Sequence, residues 1–478
     1  MAETDTGPGE ESPDRFTDAY LAGVTNSLVD GTAQGRTGEP AVRELAPRAA
    51  TVDSIALGGH VITPDGPMRG WVTVEGDRIT AVTTQKPRGP RALATGGIIA
   101  PGLLDLHGHP EFNVFAPWEP PKSYVNRYAW RASDAYHTLI RDPQNKLLDA
   151  VPPGTQLRYA EIRSLVGGVT AIQGAGQRAQ GSTESLVRDV DGVVLGEHRG
   201  RSLIDLPSSR TGRGGDDLQR VLDAIEAGEV DAFYVHLAEG MRDNQRSVDE
   251  FDHLVELGAL TAATVIIHGT ALTPEQLGAA KDAGAKLVWS PQSNLRLYGE
   301  TTRVADALAV GLPVALGADW LPSGSTSLLA ELKVARQELA NQGSPLSARE
   351  LVTMVTSGAA AIAGLADRLG SIAVGMVADL VVLSRQASDP YESICLSMPN
   401  DVELVLIGGD IVYGAHDWAT SIAADPSDPL LEPVVAWGRQ MLLDTSYEGK
   451  SDGGPTPRLQ QLRSDLTAAY PPVGPIWA

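Results

Sequence analysis

Between residues 101 and 369 the chain alternates short, unbroken apolar runs with longer segments of helical periodicity. AKLVWS (285–290) follows ALTPEQLGAAKDAG, and GLPVALGAD (311–319) follows TTRVADALAV. A strand buried on both faces reads as a continuous apolar run, so this alternation predicts parallel βα units. SARELVTMVTSGAAAIAGL (347–365) has helical spacing, with Ser347 at the cap position and Glu350 three residues on.

The flanks have a different texture. VDSIALGGHVITPDG (52–66) and MRGWVTVEGDRITAVTT (68–84) read as short strands broken at Pro64-Asp65-Gly66 and Glu75-Gly76-Asp77. The same texture returns in GSIAVGMVADLVVLS (370–384) and DVELVLIGGDIVYG (401–414). The expectation is a small discontinuous β-sandwich, built from 52–100 plus 370–416, around a barrel-like α/β domain over 101–369. Residues 1–51 read as an arm. In it Phe16, Tyr20, Val24 and Leu28 are spaced for one stripe of a short helix, with disorder as the alternative. Beyond 417 a helical extension is expected, with helices over 429–444 and 458–470 separated by GKSDGGPTP. Trp437 and Met441 sit four apart there, suited to packing on the barrel or to a subunit contact.

Composition narrows the partners. The 478 residues are 42% hydrophobic and 21% charged, ordinary for a globular protein with a large core. A net charge of −22 argues against nucleic acid or an anionic membrane as partner. No apolar stretch has the length of a membrane span. The acidic start, MAETDTGPGEESPD, lacks the features of a secretory signal, so a cytoplasmic location is expected. The single cysteine, Cys395, excludes an internal disulfide and a cysteine-based metal cluster. Nine histidines leave a His and carboxylate metal site open.

The chemistry lies at the ends of the apolar runs. IIAPGLLDLHGH ends in His107 and His109, DAFYVH in His236, ATVIIH in His268 and LPVALGAD in Asp319. Taken singly, each histidine reads as a satisfied core residue and the aspartate as a helix cap. In a (β/α)8 barrel, however, groups at the C-terminal strand ends converge on one mouth. Five ligand-capable residues spread over more than two hundred positions would then meet.

As an ordered set, PGLLDLHGH, HLAE (236–239), VIIHG (265–269), SPQSN (290–294) and LGAD (316–319) resemble the amidohydrolase superfamily. More narrowly they are similar to its chlorohydrolase/deaminase branch, which includes guanine deaminase-like, adenosine-type and triazine hydrolases. The resemblance spans residues 52–416. It implies an α/β fold, a metal-dependent (β/α)8 TIM-type barrel with a β-sandwich from both chain ends. It also implies metal ligands His107, His109, His236 and Asp319, with His268 beside the metal and Glu239 as the proton-shuttling acid. Three histidines and a carboxylate suit one divalent ion, Zn²⁺ first and Fe²⁺ second.

Binuclear relatives bridge their ions with a carboxylated lysine from a middle strand, and no lysine occurs here between Lys146 and Lys281. One metal is therefore expected. Glu197 and His198 in LGEHRG are an alternative bridge, read instead as a solvated strand end. The implied reaction is attack by hydroxide generated at the metal on a carbon bonded to nitrogen. Asp319 would accept the proton, Glu239 would protonate the ring or leaving group, and His268 would stabilise the intermediate.

The substrate reading is looser. Trp289 stands where the family commonly has a histidine, two residues before the proline of the SPxSN segment. Ser293 and Asn294 remain as supporting or turn residues. The long loop 110–131 carries Glu111, Trp118, Lys122, Tyr124, Arg127, Tyr128 and Trp130. With Trp320 these suit a pocket for a planar or anionic substrate, or merely pack a lid. The stretch from Thr170 to His236 is short for three βα units. The expected function is deamination of a nitrogen-containing ring or related small molecule, in a homodimer. Hydrolysis of an amide or lactam in a specialised metabolite, and a non-catalytic scaffold on the same fold, are the alternatives.

Overall fold

The computed structural model describes residues 42–46, 53–152, 154–174, 184–212, 214–445 and 458–477. These residues belong to one compact unit, Pro40–Ala478. The expected stripe of Phe16, Tyr20, Val24 and Leu28 lies outside the described residues.

The strands, in chain order, begin with β1 (Glu44–Leu45), β2 (Ser54–Thr63), β3 (Gly66–Glu75), β4 (Arg78–Thr83) and β5 (Arg91–Pro101). There follow β6 (Leu103–Asp105), β7 (Val169–Ile172), β8 (Glu184–Ser185), β9 (Arg188–Asp189) and β10 (Gly200–Leu203). Next come β11 (Ala232–Leu237), β12 (Thr264–His268), β13 (Lys286–Trp289) and β14 (Val314–Leu316). The chain returns to strands with β15 (Leu380–Leu383), β16 (Val402–Ile407), β17 (Asp410–Ala415), β18 (Leu431–Ala436) and β19 (Arg439–Asp444).

The strand ladders of the middle region are parallel. β10 to β14 form a five-stranded arc in sequence order, and β6, β7 and β9 form a three-stranded arc. Every residue of β11, β12 and β14 is buried, as the unbroken apolar runs predict. The arcs meet along one seam: Leu106 N donates to Leu316 O at 3.3 Å and Asp319 N to His107 O at 2.8 Å. Across the β9–β10 gap no strand ladder forms among the described residues. Side chains span it instead: Ser202 Oγ of β10 donates to Asp191 Oδ1 just after β9, and Gln173 Nε2, just after β7, donates to Ser202 Oγ at 3.0 Å. The abbreviated stretch expected after Thr170 is this region, where β7 to β10 are joined without a helix among the described residues.

Helices alternate with the strands from there on. Gly215–Glu226, Gln245–Glu256 and Pro274–Asp282 follow β10, β11 and β12. The helix expected over 347–365 starts at its Ser347/Glu350 capping box. It divides into Ala348–Thr353 and Ser357–Ile362, because Thr356 leaves helical geometry at ψ −109°.

Strands from both ends of the chain join in one nine-stranded sheet, ordered β18-β19-β17-β16-β15-β5-β2-β3-β4. Leu380 and Val382 of β15 face a core shared with Ile55, Val72, Leu404 and Leu442, while Val381 and Leu383 face the larger barrel core. The period-2 alternation thus buries both faces. Asp379, just before β15, ties this sheet to the barrel. Both of its oxygens accept from Arg188 of β9, at 2.7 and 2.9 Å, and both side chains are buried.

One expectation fails. The segment 429–444 is a β-hairpin, β18 and β19, rather than a helix. Trp437 and Gly438 form its two-residue turn with φ of 47° and 76°. Two consecutive positive φ values match the right-handed twist of the flanking strands, and Pro433 cannot serve inside a helix. The apolar spacing of Val434, Trp437 and Met441 that suggested a helix is met by strands, and β19 pairs with β17. The C-terminal extension is therefore mixed, although the second expected helix is present as Leu459–Ala469.

Candidate active site

The side chains at the strand ends converge. His107 and His109 leave the chain just after β6, His236 sits in β11, His268 ends β12, and Asp319 follows β14. The ring centroid of His107 lies 5.1, 4.8 and 4.9 Å from those of His109, His236 and His268. His109 Nε2 is 3.3 Å from His236 Nε2. Asp319 Oδ1 is 3.1 Å from His107 Nε2 and 3.9 Å from His109 Nε2. Ligand-capable atoms of His107, His109 and Asp319 lie within 4.8 Å of one another, as do those of His107, His236 and His268.

The backbone is bent to achieve this. Ala238, His268 and Asp319 take φ of 52°, 69° and 60°, a left-handed region that side chains with Cβ seldom enter. Such strain persists where surrounding structure imposes it, and here it sits at three strand ends around one point. Asp105 holds the turn beneath His107, its Oδ1 accepting from Ala318 N at 3.0 Å. Burial pushes its carboxyl up to about 7.

The electrostatics follow from packing imidazoles around one carboxylate. Burial works against ionisation of Asp319, but His107, His268 and His109 outweigh it and hold the carboxyl well below the usual range. Burial and the three neighbouring histidines push His236 well below its usual value, so its ring is neutral.

Hydrogen bonding shows what this donor set is suited to. Among the described residues, neither ring nitrogen of His107 makes a directed hydrogen bond, although Nε2 lies close to Asp319, and His236 Nδ1 has no partner. Unpaired buried polar atoms are costly and therefore rare. Three imidazoles with one carboxylate, several nitrogens unpaired, fit a divalent ion such as Zn²⁺.

Beside this cluster lies Glu239, whose Oε2 is 3.7 Å from His268 Nε2. His268 is oriented from behind. Its Nδ1 is 2.9 Å from Asn294 Oδ1, and Thr302 Oγ1 donates to its main-chain oxygen at 2.7 Å. Asn294 Nδ2 faces Thr301 and Thr302 Oγ1 at 3.2 and 3.3 Å, which sets the amide orientation. His268 Nδ1–H therefore donates to Asn294, and the Nε2 lone pair faces Glu239.

The remaining expected residues divide. Trp289 is fully buried, with Nε1 donating to Thr301 Oγ1 at 2.8 Å, so it braces the Asn294 support. Ser293 pairs with Ser323 at 2.7 Å. Trp320 packs with Phe112, Trp130 and Tyr136 in an aromatic cluster. Trp118 is buried against Tyr124, and Glu111 is buried with its main-chain oxygen held by Gln156. Arg127 does not present a free cation. Its guanidinium is buried against Asp205 at 3.1 Å and Glu250 at 3.3 Å, and it bonds Tyr128. Lys122 is exposed. Glu197 pairs with Arg368 at the surface at 3.0 Å, and His198 bonds Asp191 O, so neither joins the cluster. Tyr298, whose hydroxyl donates to Glu239 Oε1, and Glu331, a buried carboxyl under the mouth, escape the sequence reading; no motif marks either one.

The described residues form a parallel α/β scaffold with a histidine-rich cluster at its strand ends. Residues 211–412 match the family described as the Amidohydrolase family. The chain is 27% identical over 378 residues to the 5-methylthioadenosine/S-adenosylhomocysteine deaminase of Teredinibacter turnerae, covering 68% of this chain and 82% of that one. A mutant of the atrazine chlorohydrolase from Arthrobacter aurescens, complexed with zinc and atraton, superposes with a TM-score of 0.61 at 17% identity. That match covers 87% of this chain and 99% of the other. A zinc-bound adenosine deaminase from Xanthomonas campestris superposes with a TM-score of 0.55 at 18% identity, covering 75% and 92%. Residues 211–412 thus match an amidohydrolase-family domain, and the similarity to deaminases indicates a hydrolase acting on carbon–nitrogen bonds.

Proposed function

We propose that this protein is a mononuclear metal-dependent deaminase that removes an amino group from a nitrogen heterocycle, with an adenine-type purine first among candidates. On this reading the two parallel arcs belong to a closed (β/α)8 barrel, and the nine-stranded sheet folds over its own core as the accompanying sandwich. The observation that carries the functional reading is the Glu239–His268 pair set beside the His107, His109, His236 and Asp319 cluster. The similarity to methylthioadenosine/S-adenosylhomocysteine deaminases supports the substrate class.

His107, His109, His236 and Asp319 would hold one divalent ion, which when bound supplies a Lewis acid and a water of lowered pKa. Asp319, held ionised by its histidine neighbours, takes the proton of the attacking water. The water oxygen bonds to the ring carbon as the C=N π pair moves to the ring nitrogen. Glu239 then gives a proton to the amine, which takes the C–N electron pair and leaves as ammonia while the ring C=N re-forms. His268, neutral with its Nε2 lone pair 3.7 Å from Glu239 Oε2, faces the acid and would accept its proton once substrate closes that gap. The cluster of Trp130, Trp320, Phe112 and Tyr136 supplies flat apolar walls that exclude water. These roles modify the expectation for His268, which in this orientation accepts a proton before it can donate one.

The test is ammonia release by zinc-loaded protein from adenosine, 5′-methylthioadenosine, S-adenosylhomocysteine, guanine, cytosine and amino-triazines. Metal-dependent release from at least one is expected. Release of a carboxylate from lactams or amides, with none of ammonia from the heterocycles, would contradict the reading.

A further inference from the structure

The loop after β6 and the helix after β13 meet at Glu239 through a chain of three side chains. Trp130, in the helix Arg127–Arg131, donates its indole N–H to Tyr298 Oη at 2.9 Å. Tyr298, the last residue of the helix Pro291–Tyr298, donates in turn to Glu239 Oε1. Trp130 is 7% exposed, Tyr298 1% and Glu239 3%, so water does not compete for these bonds.

The donor inventory gives the chain one direction. An indole N–H only donates, so the Tyr298 oxygen accepts it, and the single phenolic proton is left for Glu239. Glu239 Oε1 is then permanently an acceptor. The other oxygen, Oε2, points toward His268 Nε2 at 3.7 Å. Main-chain bonds hold the same segment: Arg127 N donates to Glu239 O at 3.2 Å and Ala238 N to Glu250 Oε2 at 2.7 Å.

We propose that Tyr298, backed by Trp130, is a positioning residue that reserves Glu239 Oε2 for the transferred proton and keeps it aimed at the metal cluster. A carboxyl free to rotate would divide its proton between two oxygens, one of them facing away from the reacting atoms. Burial and the adjacent Glu239 push the Tyr298 phenol well above its usual range, so it stays a donor throughout. The inference rests on the deaminase reading, and its test separates the two.

Tyr298→Phe removes the donor and keeps the ring. With zinc-loaded protein, kcat is expected to fall at least about tenfold, with KM within about twofold and zinc content unchanged. In a Glu239→Gln background the same change is expected to cost nothing further, because Tyr298 acts through Glu239. Trp130→Phe, which frees the phenol to turn, should lower kcat less than Tyr298→Phe. It also stands in if the tyrosine variant does not fold. Crystal structures provide a readout independent of turnover. Glu239 Oε1 should lie on Tyr298 in the wild type and the carboxyl should rotate in Tyr298→Phe. Unchanged kcat, losses that multiply with Glu239→Gln, or a carboxyl that does not move would overturn the proposal. If the wild type releases no ammonia from any heterocycle, the deaminase reading fails. The placement of the Glu239 carboxyl in the two crystal structures then decides the positioning role alone.

Discussion

Glu239→Gln isolates the proton-transfer role better than any other single change. Gln has the same shape, and its amide oxygen can still accept from Tyr298, so the buried contact survives. Glu239 belongs to neither group of ligand-capable residues at the mouth, so metal content should be unchanged. What is lost is a group able to give a proton to the leaving amine. Positioned acid–base catalysis contributes about 10²- to 10⁴-fold. The lower bound corresponds to about 2.7 kcal/mol of transition-state stabilisation. The assay is ammonia release under saturating substrate, with zinc measured on the same sample by elemental analysis. A hundredfold or greater fall in kcat at full zinc occupancy is expected. A fully loaded Glu239→Gln protein with kcat within about threefold of wild type would refute the assignment and the proton pathway built on it.

Other expectations concern the scaffold and its titration. Asp379→Ala strands the buried Arg188 guanidinium, which is bonded at 2.7 and 2.9 Å. Breaking such a pair costs about 3–5 kcal/mol, so urea unfolding should begin at clearly lower concentration; an unchanged midpoint would contradict this. Burial pushes the Glu331 carboxyl up to about 8 in the folded protein, from an ordinary value of 4.5. The native state then holds a proton that the unfolded chain releases, so this group's contribution is most favourable below the ordinary value and declines as pH rises toward about 8. Glu331→Gln should therefore gain stability relative to wild type between about pH 5 and about pH 8 in paired denaturation curves, and parallel curves would refute the burial argument. Gly438→Val places a β-branched residue at φ 76° in the β18–β19 turn. It should destabilise by about 1 kcal/mol or more in thermal melts, whereas a helix over 429–444 would be strengthened by the same change.

The site was legible to the extent that topology gathers it. His107, His109, His236, His268 and Asp319 stand at the C-terminal ends of buried runs, and parallel strands bring those ends together whatever the intervening sequence. Glu239 is singled out only through the family resemblance carried by HLAE (236–239). The supports were not. Tyr298 and Glu331 lie on helices where their residue types have ordinary packing roles, and the bonds they make depend on how the helix after β13 and the helix after β14 settle against the mouth. Arg127 illustrates the converse. Read from sequence it is a candidate for an anionic substrate, yet Asp205 and Glu250, from two other segments, neutralise it in the interior. The 429–444 hairpin escaped because Val434, Trp437 and Met441 satisfy a helical period. Pro433 and the Trp437-Gly438 turn, with both turn residues at positive φ, separate the two structures.

On the proposed reading His107, His109, His236 and Asp319 surround a single divalent ion. Crystals of the purified protein, with diffraction recorded on both sides of the zinc absorption edge, would test it most directly. One anomalous peak per chain is expected, enclosed by those four side chains and adjacent to Glu239. No peak there, a peak elsewhere, or two peaks in the mouth would contradict it.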